Sequence, residues 1–180
     1  MSDLNRRVLY QYIAILLQYP DEDFMNMLPE LRNEIERLQD LSAKKELHQL
    51  IDNLSNTPLE QLVEHYIEHF DFGRTTNLYV TYFHSGEGRE RGLELLKLKQ
   101  FYERFGYETT DEELPDYLPL MLEFCANVPI HVSNELLEQH VEALQLMRDK
   151  LVESGSLYAV LLNLLMTTMY KNGVSTRTDA

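Results

Sequence analysis

His65-Tyr66-Ile67-Glu68-His69 sets two imidazoles one helical turn apart with a carboxylate between them. This is the H-x-x-E-H spacing in which two histidines hold zinc and the glutamate polarises its bound water. A zinc hydrolase also needs a third ligand and a substrate cleft, and no downstream glutamate stands in a recognisable partner motif. In a chain with 30 Asp and Glu residues, two histidines beside an apolar stripe read better as half-exposed helix residues, open at most to an adventitious ion. The glycine turn His84-Ser85-Gly86-Glu87-Gly88 lacks the lysine and full glycine pattern of a phosphate loop. No G-x-S-x-G occurs, and Cys125, the single cysteine, falls in an apolar run as a small hydrophobe. The expectation is a protein that is not an enzyme, with no catalytic residues, no resident metal and no cofactor.

Two charged features remain. Asp111-Glu112-Glu113 and Asp116 form an acidic corner at the start of an apolar helix, while Arg89, Arg91, Lys97, Lys99 and Arg104 gather five of the sixteen basic residues on one predicted helix. The formal charge of −14 excludes nucleic acid and stable membrane insertion as expected partners, because phosphate-rich surfaces would be repelled. A partner bearing Lys and Arg would be drawn in, although solubility alone also accounts for such a charge. With 44% hydrophobic residues over 180 positions, the chain suits one domain with a full core. We expect it over residues 1–171, with a flexible tail at 172–180. One cysteine excludes an internal disulfide and fits a reduced, cytoplasmic setting. Arg6-Arg7 before an apolar run imitates a twin-arginine export signal, but Tyr10, Gln11 and Tyr12 interrupt the run and small cleavage-site residues are missing.

The elements that would position these groups all read as helical. Leu9, Ile13, Leu16 and Leu17 predict a first amphipathic helix ending near residues 19–20, and Asp21-Glu22-Asp23 opens a second carrying Phe24, Leu28, Leu31, Ile35 and Leu38. A third is expected over 42–54. Thr57-Pro58 reads as a cap followed by a first-turn proline for a fourth over 59–70. Gly73 suits a positive φ and Asn77 a cap; residues 78–83 have β propensity but no second strand, so they are read as a short helix. The next helix starts at Arg89 and stops at Gly106, with Leu95, Leu98, Tyr102 and Phe105 inward and Gly92 open to a close backbone approach. Asp116 is expected to cap a largely buried helix, with Pro119 in its first turn and Leu118, Met121, Leu122 and Cys125 on one face. One long helix from residues 133–134 to Gly155 and a core helix over 156–170 complete the reading. The fold class is all-α, a single-domain irregular helical bundle of about eight or nine helices.

Three segments carry a resemblance: NLYVTYF, the glycine turn leading into RERGLELLKLKQFYERFG, and ELPDYLPLMLEF. Together they span Asn77 to Phe124, and in order and spacing the chain resembles the nitrate reductase molybdenum cofactor assembly chaperones of the NarJ type, once described as the enzyme's delta subunit. The resemblance implies an all-helical chaperone that binds the N-terminal helical segment of the apo catalytic (alpha) subunit of nitrate reductase. It would assist molybdenum cofactor insertion before membrane docking and then leave. The family's Pro-Asp motif falls at Pro115 and Asp116. Related chaperones for other molybdoenzymes tend to have histidine next, where Tyr117 stands here, which favours the nitrate reductase branch.

The expected partner-peptide site comprises Tyr79, Tyr82, Arg89, Arg91, Glu113, Leu114, Pro115, Asp116, Tyr117, Leu118 and Leu122. In it Glu112, Glu113 and Asp116 form an acidic rim, and Tyr79, Tyr82, Leu118 and Leu122 an apolar floor, for an amphipathic helix. Two other classes stay open at this point: a permanent structural subunit of a respiratory complex, and a zinc-dependent hydrolase using His65, Glu68 and His69.

Overall fold

A computed structural model describes residues 3–72, 75–85, 88–110 and 112–175. The chain runs α1 (Asp3–Leu16), α2 (Glu22–Glu34), a 3-10 turn (Ile35–Arg37), α3 (Leu41–Asn56), α4 (Leu59–Phe70), α5 (Tyr82–Ser85), α6 (Arg89–Arg104), α7 (Leu118–Asn127), α8 (Ile130–Glu138), α9 (Val141–Glu153) and α10 (Ala159–Lys171). Apart from the single turn α5, each α-helix has at least nine residues. Among the described residues the only strand-like pairing is one antiparallel bridge, Tyr79 with Tyr117. The all-α expectation holds.

α1 lies chiefly along α7, and α10 packs on α9, α1 and α3. The inward stripe expected of α1 is buried, as are Phe24, Leu28, Leu31, Ile35 and Leu38 of the second segment. Local chemistry sets most boundaries. Asp21 accepts a hydrogen bond from Phe24 N (2.8 Å) to start α2, and Asp40 accepts from Ser42 N and Ala43 N to start α3. Gly106, at φ +83°, ends α6 with Tyr107 N bonded to Tyr102 O and its own N–H to Glu103 O.

Four local expectations are corrected. Thr57 does not cap α4: its hydroxyl donates to Asn53 O and closes α3, leaving Pro58 as the N-cap of α4. Gly92 is exposed, with nothing within 4 Å of where a Cβ would stand, so no backbone approaches it. The predicted long helix from 133–134 to Gly155 is two, α8 and α9, broken at Gln139 and His140, and α8 begins at Ile130. Periodicity alone does not see such a break, because both halves keep their apolar residues inward. The segment after α10 is packed at its start. Asn172 O accepts from Asn134 Nδ2 (2.8 Å) and Val174 is 3% exposed, so the tail expected from residue 172 is docked through Val174. Gly73 and the glycines' neighbour Glu87 lie outside the described residues, as do Gly86, Asp111 and residues 176–180.

The twin-arginine imitation has a structural explanation. Arg6 is fully buried; its guanidinium donates to Cys125 O (2.8 Å), Val128 O (3.1 Å) and Ser133 Oγ (3.0 Å), and pairs with Asp3 at 2.6 Å. Arg7 stays partly exposed, 34%, on the same aspartate. Those hydrogen bonds, first from Arg6 and then from Arg7, hold the Asp3 carboxyl below the usual carboxylate range. Replacing Arg6 with Met strands two carbonyls in the core, each a loss of about 1–3 kcal/mol, while the Ser133 hydroxyl keeps its bond to Ile130 O. Urea unfolding should therefore show Arg6→Met destabilised by at least about 2 kcal/mol and Arg7→Met by less than about 1 kcal/mol.

Candidate partner-binding site

The two most distinctive stretches of the sequence meet in space. Residues 78–80 lie antiparallel to 116–118, with Val80 N donating to Asp116 O (3.0 Å) and Leu118 N to Leu78 O (2.7 Å). The β propensity of 78–83 is thus met by a short extended pair rather than the expected helix, and only residues 82–85 turn helical. Asn77 Oδ1 accepts from Tyr79 N (2.9 Å), a local turn rather than a helix cap.

Asp116 sits at the centre of this crossing and is fully buried. Its Oδ2 accepts from Thr81 Oγ1 (2.6 Å), Thr81 N (3.3 Å) and Arg91 Nη2 (3.2 Å), while Arg91 also donates from Nε to Thr81 Oγ1 and lies over the Tyr82 ring at 4.4 Å. The other oxygen, Oδ1, has no hydrogen-bond partner. Next to it, Tyr102 OH donates to Pro115 O (2.7 Å). The expectation that Asp116 caps α7 and belongs to an exposed acidic rim is therefore corrected. Tyr117 is the N-cap, with no side-chain cap bond, and Pro119 takes the second helical position, where a missing N–H is harmless. Leu118 and Leu122, expected on a groove floor, are fully buried in the core. Leu114 is exposed beside Glu112, and Arg89 is exposed at the first turn of α6, apart from Arg91.

What opens to solvent is a cavity of about 220 Å³ between the end of α4 and the Tyr79–Tyr117 crossing. Tyr79 and Tyr117 pack against each other in its wall with ring centroids 5.2 Å apart, Tyr66 and Phe70 back it, and Asp71 and Glu113 stand at its mouth. Glu113 Oε1 accepts from Tyr79 OH (2.9 Å) and Leu114 N (2.8 Å), which fixes that carboxylate at the rim. Burial, then the Glu113 carboxylate, raises the Tyr79 hydroxyl well above its ordinary value, and burial raises Tyr117. Both rings stay neutral, and the site's charge comes from its carboxylates. Tyr79, Glu113 and Tyr117 were legible as site residues. Tyr66, Phe70 and Asp71 join the cavity from the end of α4, which nothing in the local sequence pattern links to residues 79 and 117.

Those histidines form a clasp. His65 Nε2 accepts from Leu157 N (3.2 Å) and meets Ser156 Oγ at 3.1 Å, and its ring stacks on Tyr158 at 5.7 Å. His69 Nδ1 donates to His65 O (2.8 Å). His65 Nε2 is therefore committed to joining α4 to the α9–α10 connection, and His69 Nδ1 to a bond within α4. The remaining geometry still brings one ligand atom each from His65, Glu68 and His69 within 4.8 Å of one another. Burial, then the neighbouring His69, lowers His65 from its ordinary value of 6.5, against a smaller raising effect of Glu68. The unfolded chain then takes up a proton near pH 6.5 that the folded chain refuses, so this stabilisation is complete above that pH and is lost as pH falls through the lower folded value. His65→Gln should give a melting temperature that declines less steeply than wild type between pH 7 and pH 5, as thermal scans at about half-unit steps would show.

For Asp116, loss of the carboxylate leaves Arg91 facing a desolvated hydroxyl and two strands of backbone without their anchor. Asp116→Ala should lower unfolding free energy by about 3 kcal/mol, with a double-mutant cycle against Arg91→Met giving about 1–3 kcal/mol of coupling. Asp116→Asn, which keeps an acceptor for Thr81, should lose less in the same urea titrations.

The chain is a helical bundle with a small acid-and-aromatic pocket, beside which the Arg91–Asp116 ion pair is buried. In shape it matches a solved redox enzyme maturation protein from Archaeoglobus fulgidus, with a TM-score of 0.63 at 20% identity over 92% of this chain and 93% of that one. Residues 32–162 match the family model described as nitrate reductase delta subunit, and the chain belongs to that family. The Bacillus subtilis nitrate reductase molybdenum cofactor assembly chaperone NarJ is 39% identical over 97% of this chain and 95% of its own. The NarJ of Escherichia coli K12 is 34% identical over 86% of this chain and 66% of its own. These relatives are named as assembly chaperones rather than catalysts. No helix among the described residues is long and apolar enough to cross a membrane.

Proposed function

We propose that this protein is an assembly chaperone for a respiratory nitrate reductase. It holds the apo catalytic subunit in the cytoplasm through that subunit's N-terminal helical segment, keeps it from docking prematurely at the membrane while the molybdenum cofactor is inserted, and then releases it. The names of its relatives support the enzyme concerned. The observation that carries the binding mode is the 220 Å³ pocket beside Pro115-Asp116-Tyr117, with two tyrosine faces in its walls and Asp71 and Glu113 at its mouth. Its size suits one side chain, its rings suit a cation, and its carboxylates complete the charge. A Lys or Arg on the incoming helix is the complementary group. The net charge of −14 favours approach of such a segment at low salt.

Calorimetric titration with a synthetic peptide from the first turns of the nitrate reductase catalytic subunit, beside a scrambled peptide, tests this. The native peptide alone should bind, at micromolar Kd or tighter. The double variant Asp71→Asn, Glu113→Gln should weaken it by roughly tenfold, about 1.4 kcal/mol. Equal binding of both peptides, or retention of the chain in the mature purified enzyme, would overturn the reading.

A further inference from the structure

A second cavity, of about 260 Å³, lies between the outer face of α7 and the non-helical segment after α6. Three aromatic side chains stand in its walls. Tyr102, Tyr107 and Phe124 converge on it, with Phe124 4.7 Å from Tyr102 and 5.2 Å from Tyr107 between ring centroids. Two carboxylates, Glu108 and Glu123, stand at its edge and both are exposed. Tyr107 is 39% exposed although its ring belongs to this aromatic group. At this volume the cavity takes one large apolar side chain, not a dinucleotide cofactor.

Its position relates it to the first pocket. The two cavities are lined by neighbouring parts of the chain: Glu113 and the α7 cap contribute to the first, and Glu108, Thr109, Thr110 and the outward face of α7 to the second. Tyr117 lines the first, and Leu120, Glu123, Phe124 and Asn127 line the second. From Tyr117 to Phe124 the helical rise is about 10 Å, two turns. A partner helix lying along α7 would meet the two cavities with residues about seven positions apart.

We propose that the cavity at Tyr107 and Phe124 is a second anchor site that, with the first pocket, reads an amphipathic basic helix in register. A Lys or Arg enters the first pocket beside the paired rings of Tyr79 and Tyr117, and an apolar residue six to eight positions away enters beside Phe124. Basic residues flanking that apolar anchor face Glu108 and Glu123. The inference rests on the proposed chaperone reading and assigns that reading a spacing rule. Acidic edges on both cavities select a basic segment over a second copy of this acidic chain.

The same nitrate reductase peptide serves as the probe, titrated into the full chain and into Tyr107→Ala and Glu123→Lys, both surface changes. Each variant should weaken binding three- to tenfold, and Glu123→Lys, at an exposed position, should do so with the melting temperature unchanged. In a disulfide-trapping series, Glu123→Cys is paired with peptides carrying one cysteine at successive positions. The native thiol, Cys125, is buried and stays silent. Trapping should peak six to eight residues from the peptide's basic residue. Binding within twofold of wild type in both surface variants, while Asp71→Asn, Glu113→Gln weakens it, would overturn the second anchor and leave the chaperone reading standing. So would trapping that is flat along the peptide. No binding to the wild-type chain would overturn the chaperone reading and this inference together.

Discussion

The structure depends on α7 being fastened at each end by a buried charge. Arg6 and Asp116 are the Lys, Arg, Asp or Glu side chains buried to 0% exposure among the described residues. Taking an ion out of water is unfavourable by several kcal/mol unless geometry and hydrogen bonds compensate. At the C-terminal end of α7, where carbonyls lack intrahelical partners and the helix dipole is negative, the Arg6 guanidinium answers both needs. Toward the N-terminal end, Asp116 gathers Thr81 and Arg91 one residue before the cap. Between those fixtures the apolar residues of α7 can pack on α1 without sliding.

That fastening decides which face of α7 is left for other work. Leu118, Met121, Leu122 and Cys125 are fully buried, and burial keeps the Cys125 thiol protonated and inert. The opposite face, with Leu120 partly buried and Glu123 exposed, looks outward between two side-chain-sized cavities. Asp116 contributes to the site by holding the crossing of 78–80 with 116–118, which sets Tyr79 against Tyr117. Its chemistry is directed inward, while the carboxylates that meet solvent are its neighbours.

What was legible in the sequence was whatever local pattern carries. α4 begins and ends where its stripe says, α6 stops at the glycine that adopts a positive φ, and α10 is a core helix because it is apolar nearly all round. Illegible were the interactions between residues far apart. Arg6 reaches Ser133 across 127 positions, and nothing near it in sequence marks it as buried rather than as half of an export-like pair. Asp116 stands among other acids, and only the fold separates it from them by delivering Thr81 and Arg91. The same holds for the site: Tyr79, Glu113 and Tyr117 could be named from the motif, but Asp71 and Phe70 join them only because α4 ends at the crossing. His65 is the half-exposed helix residue its stripe implies, but its spacing does not reveal a serine and a backbone N–H waiting 91 and 92 residues away.

The ion pair also ties α6 to the site. Of sixteen residues in α6 only Leu98 and Tyr102 are buried, both in its second half, while Leu93 and Leu96 are more than half or half exposed. Its first half makes its polar attachment to the body through Arg91, at 14% side-chain exposure, on Asp116. The backbone of that same aspartate is paired with Val80, whose neighbour Tyr79 forms the pocket wall. The pocket wall and the least buried long helix of the fold are thus both attached to Asp116, whose Oδ1 has no hydrogen-bond partner. A buried ion pair tolerates little change of distance in a low-dielectric interior, so the pocket and the first half of α6 share one mechanical joint.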